Sequence, residues 1–122
     1  MAEKKTTKTS TKTSTKTPAK ATKPPKTYNS FVKEFPRLGQ AWDLMREEEE
    51  QGPFERPTVR LLKLAIAVGA GKEGAVHSCV RKAKEAGCTP AQLRHVAALA
   101  ASTIGLPPAV ATYSWIVEQL ES

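Results

Sequence analysis

Two side chains in this 122-residue chain have the types and the spacing of an acid/base pair: Glu73 and His77, four residues apart within KEGAVHSCVRKAKEAG, residues 72–87. Side chains at that spacing lie on one face of a helix and can touch. Imidazole changes charge near neutrality, and a carboxylate beside it orients the ring and favours its charged form. Such a pair can carry a proton to or from a substrate carbon. It is also an ordinary helix-stabilising contact worth about 0.2–0.5 kcal/mol, so the pair alone does not establish chemistry.

The neighbouring candidates extend the same reading. Arg81 lies one further turn along the segment, and its guanidinium is the first choice to hold a substrate carboxylate in a bidentate fork, ahead of Arg60 and Arg94 on adjoining segments. His95 in the following segment is a second substrate-binding candidate. Two histidines and a carboxylate can bind a metal, but the spacing of His95 is not diagnostic, and neither a metal nor another cofactor is expected. Cys79 and Cys88 have no pairing motif, so no disulfide framework is expected. They read as a buried small apolar residue and a loop residue. Trp42, Tyr113 and Trp115 read as core or subunit contacts rather than a substrate cage.

The segments that carry these groups all read as helices. Phe31 and Phe35 suit a short helical turn, and Pro36 suits the first position of a longer helix in which Leu38, Ala41, Trp42 and Met45 form an apolar stripe. The four acids at 47–50 form a solvated helix end, and Gln51-Gly52-Pro53 stops it. A second helix starts near Pro57 and is apolar around much of its circumference through Leu61, Leu62, Ala65, Ile66 and Val68, which predicts burial on more than one side. The Glu73–His77 helix follows, closed by Gly87. Thr89-Pro90-Ala91-Gln92 is the clearest helix start, with a cap, a proline at the first position and Gln three residues after the cap. Leu93, Val96, Ala97, Ala100 and Ile104 run down one face of that helix. After Leu106-Pro107-Pro108, the last helix buries Ala109, Val110, Tyr113, Ile116, Val117 and Leu120. No segment alternates as a strand does. The fold class is all-α, with about five helices and a short turn in front.

Charge separates this body from what precedes it. Residues 1–27 hold eight lysines against one acid, Glu3, and so account for the whole formal charge of +7. They are almost entirely Lys, Thr, Ser, Pro and Ala, which cannot offset the entropy of ordering, and a disordered basic tail is expected there, with the helical domain at 28–122. The tail either solubilises the chain or binds nucleic acid or another polyanion without reading sequence. It lacks the arginines and the amphipathic period of a transit peptide, and no apolar signal core is present. The apolar runs at 61–70 and 96–111 are broken by Lys63 and by Pro107-Pro108, so no membrane span is expected and the cytoplasm is the expected compartment.

The stretch LAIAVGAGKEGAVHSCVRKAKEAGCTPAQLRHVAALAASTIGLPPAV resembles the carboxymuconolactone decarboxylase and alkylhydroperoxidase D family: an apolar helix, a His-bearing helix, A-x-x-A-G-x-T, a further helix, then G-x-P-A. The resemblance covers roughly residues 35–122 and implies an alkylhydroperoxidase D-like helical bundle that assembles as a trimer or hexamer. A small body with Ala-rich helix faces at 96–101 and 107–112 is consistent with shared subunit surfaces and a homo-oligomer. The family's peroxidase branch carries a Cys-x-x-Cys upstream of its histidine, where a low-pKa thiolate attacks peroxide. Aligned on His77, those positions are Ala70 and Glu73, so that relay is missing; Cys79 lies beyond the histidine and about 200° away around the helix. The decarboxylase branch has a Glu four residues before the histidine, as here. One departure stands out: Val59-Arg60-Leu61 replaces the family's Arg-Glu-Leu or Arg-Ser-Leu.

The expected function is therefore acid/base, lyase-type chemistry on a small carboxylated, lactone-like compound, with Glu73 and His77 catalytic and Arg81 and His95 binding substrate. The alternatives are a non-catalytic family scaffold whose basic tail binds a polyanion, and a peroxidase activity of the kind found in the wider family.

Overall fold

The computed structural model describes residues 26–122. Among the described residues every element is an α-helix: α1 (Lys26–Glu34), α2 (Pro36–Glu49), α3 (Arg56–Ala70), α4 (Glu73–Glu85), α5 (Pro90–Ile104) and α6 (Leu106–Glu121). The all-α expectation holds with one more full helix than the five counted, because the turn around Phe31 extends to nine residues and starts at Lys26, inside the segment assigned to the tail. The remainder of the proposed tail lies outside the described residues. None of the described helices is long and apolar enough to cross a membrane.

The chain divides into two compact units, one ending at Phe54 and one spanning Glu55–Ser122. In the first, α1 and α2 pack on each other. Pro36 begins α2, where its missing N–H costs nothing. The rings of Phe31 and Phe35 meet at a tilt of 48°, with 5.2 Å between centroids. Gly39 permits the close approach of α2 to α1, since a Cβ there would meet Val32 Cβ at 3.1 Å. Neither helix has a buried residue. The stripe of Leu38, Trp42 and Met45 is exposed.

The second unit is a ring of four helices. α4 lies against α3 and α6, and α5 touches α6 and α3 in turn. Its core is Leu64 and Val68 from α3, Val76, Val80 and Ala83 from α4, Leu93 and Ala97 from α5, and Ile116 from α6, with Cys88 beside them. The expectation that α3 is buried on more than one side is not met in the chain by itself: Leu64, Ala67 and Val68 are buried, while Leu62, Ala65 and Ile66 face outward. In α6, likewise, Ala109, Thr112 and Ile116 point inward and Val110 and Tyr113 do not. The inward face is set by which neighbours close the ring, not by apolarity alone.

Local rules fix the helix ends. Gly71, at φ 67°, stops α3 in a left-handed turn, with its N–H donating to the Val68 carbonyl at 3.0 Å and the Lys72 N–H to the Ala67 carbonyl at 3.2 Å. Gly87, at φ 98°, closes α4 in the same way. Thr89 forms the expected capping box: its hydroxyl oxygen accepts from the Gln92 N–H at 3.1 Å, and its own N–H donates to Gln92 Oε1 at 2.8 Å.

Candidate functional site

The turn at Gly71 and Lys72 leads directly into the first turn of α4, which places Glu73 at its N-terminal end. A carboxylate is favoured there by the partial positive charge of the unpaired N–H groups. Val76, Val80 and Ala83 then face the core, and His77, next to Val76, falls on the flank of that buried face. Its side chain is 26 % exposed. From the opposite side comes α6, whose inward Thr112 and Ile116 bring Glu118 to the same flank.

The result is one imidazole nitrogen facing two carboxylates. His77 Nε2 lies 3.8 Å from Glu73 Oε2 and 3.7 Å from Glu118 Oε1. Both distances exceed a good hydrogen bond. Nε2 is shielded from solvent and has no hydrogen-bond partner. The glutamates are much more open, at 55 % and 70 % exposed, so direct ion pairing with a charged ring would be screened and weak. One ligand-capable atom from each of the three residues lies within 4.8 Å of the others.

Glu73 and His77 are thus brought together as their spacing predicts. Arg81 is half-buried further along α4. His95 is exposed on α5 and lines a shallow apolar groove against α3 with Leu61, Leu62, Val96 and Leu99. It is not part of the group around His77, where the second carboxylate takes the place considered for it. Glu118 was not among the sequence candidates. No local motif connects it to His77; only the register of α6 against α4 does, and its sole sequence mark is that it is an acid beside the apolar stripe of α6.

The cysteines sit elsewhere. Cys79 is half-buried on α4 and Cys88 is buried after it; neither forms a disulfide. The Cys88 thiol donates to the Pro57 carbonyl at 3.4 Å, and burial pushes its pKa up, which disfavours the thiolate that peroxide chemistry requires.

An all-helical ring with a Glu–His pair on its second helix is the arrangement the family resemblance implies. Residues 36–118 match the Carboxymuconolactone decarboxylase family, and the chain belongs to it. Comparison with curated proteins and with solved structures finds no match.

Proposed function

We propose that this protein is an acid/base enzyme of the carboxymuconolactone decarboxylase family, acting as a lyase on a small carboxylated, lactone-like compound. The observation that carries this reading is the shielded His77 Nε2 with a carboxylate on either side. In the reaction, the bond to the departing carboxylate breaks and carbon dioxide leaves. The electron pair passes into the conjugated lactone, and His77 delivers a proton to carbon, forming the new C–H bond. Glu73 orients the ring and restores its proton from water. Arg81 is the proposed clamp for a substrate carboxylate, and His95 a second substrate contact.

The enzyme is proposed to work in the cytoplasm as a homo-oligomer, a trimer or hexamer. The outward apolar side chains Leu62, Ile66, Leu99 and Val110 support shared surfaces. The concentration of positive charge in residues 1–27 supports a second, separate role for that segment in holding nucleic acid or another polyanion; salt-sensitive DNA retention lost on deleting it is the expected result.

His77→Ala should abolish turnover of carboxylated lactones while leaving helix content and assembly intact. Full activity in that variant would overturn the proposal.

A further inference from the structure

Among the described residues, His77 Nε2 is the one imidazole atom that is buried without a hydrogen-bond partner. A shielded nitrogen lone pair or N–H left unpaired is costly, and its neighbours are two carboxylate oxygens at 3.7 and 3.8 Å, each too far to pair with it well. The three atoms converge from two helices: two at an i, i+4 spacing on α4 and one from α6. A body small enough to sit between them and attractive to all three would satisfy the nitrogen and both oxygens together.

We propose that Glu73, His77 and Glu118 form a binding site for a borderline divalent transition-metal cation of the Zn2+ class. One nitrogen and two carboxylate oxygens suit such an ion, whereas Mg2+ and Ca2+ prefer oxygens throughout. Zinc bonds to His and carboxylate are about 2.0–2.2 Å long, so ligand atoms around a tetrahedral ion stand roughly 3.4 Å apart. The present separations, none above 4.8 Å, need only a modest contraction. The side chains that must move are the two exposed glutamates, whose rotation disturbs no core packing. His77 is the least exposed of the three, its side chain 26 % exposed against 55 % and 70 % for the glutamates. Two carboxylates and a neutral imidazole balance the charge of the ion, and a water completes the fourth position, as in open zinc sites.

The site does not depend on the proton-transfer reading. It does constrain that reading, since a cation on Nε2 occupies the position of the proton, and Zn2+ would inhibit the lyase reaction.

The test is calorimetric titration of the full chain with Zn2+ in chelator-stripped buffer, needing no substrate. One ion per chain is expected. Binding should persist in Cys79→Ser/Cys88→Ser and in His95→Ala, and weaken on acidification as protons compete for the ligand imidazole. It should fall at least about tenfold in both His77→Ala and Glu118→Gln, since loss of a ligand should cost no less than loss of an outer partner. Glu118→Gln alters an exposed side chain, so its effect is readable even where His77→Ala perturbs folding. Absence of saturable uptake, undiminished uptake in Glu118→Gln, or uptake lost in the cysteine or His95 variants would each overturn the site. Zn2+ binding by a chain whose metal-free form shows no lyase activity would remove the proposed function and leave the metal site standing.

Discussion

The two units of the described chain start from similar amphipathic sequence and end differently. α2 carries Leu38, Trp42 and Met45 at helical spacing and buries none of them, whereas α3 to α6 close a ring around Leu64, Val80, Leu93 and Ile116. An apolar stripe is a capacity for burial; the partners that use it decide the energy. Within Glu55–Ser122 each stripe meets two others, so truncation leaves a cavity that its neighbours cannot fill. In α2 the same truncation mostly exchanges one exposed surface for another.

That contrast is open to direct attack. Leu64→Ala should cost about 2–5 kcal/mol in denaturant unfolding, while Trp42→Ala, at a position already 43 % exposed, should cost much less in dilute protein. Equal losses would show that the Trp42 surface is covered in solution. Next in size, Thr89→Ala should cost roughly 1 kcal/mol by removing the cap of α5, whereas α2, whose Phe35 makes no side-chain cap, offers no equivalent contact to lose. The smallest effect concerns Cys88, whose folded pKa is raised above the ordinary 9.0 by burial. Its contribution is fully present below the unfolded thiol pKa and declines as pH rises through the higher folded value. Wild-type stability should therefore drop relative to Cys88→Ala above pH 9, with no divergence at neutral pH, as followed by urea midpoints.

Punctuation in the sequence was legible because it acts locally. Pro36, Gly87 and the Thr89–Gln92 box each govern backbone geometry within a turn or two, and the helices begin and end beside them. The inward face of α3 is less so: the pattern points Leu62 and Ile66 inward, whereas the structure buries Leu64, since periodicity in a broadly apolar helix does not say where its neighbours stand. For the same reason Glu73 and His77 could be paired from spacing, but Glu118 could not. Its place depends on how far α6 slides along α4, a quantity that no short window of residues encodes.

The brevity of two connections has a kinetic consequence. α3 and α4 are joined by Gly71 and Lys72, and α5 and α6 by Gly105 alone, so each pair closes as a helical hairpin at little loop entropy. His77 belongs to one hairpin and Glu118 to the other. The imidazole acquires its second carboxylate only when the hairpins dock, so completion of the site is expected late in folding, after the contacts of low sequence separation have formed.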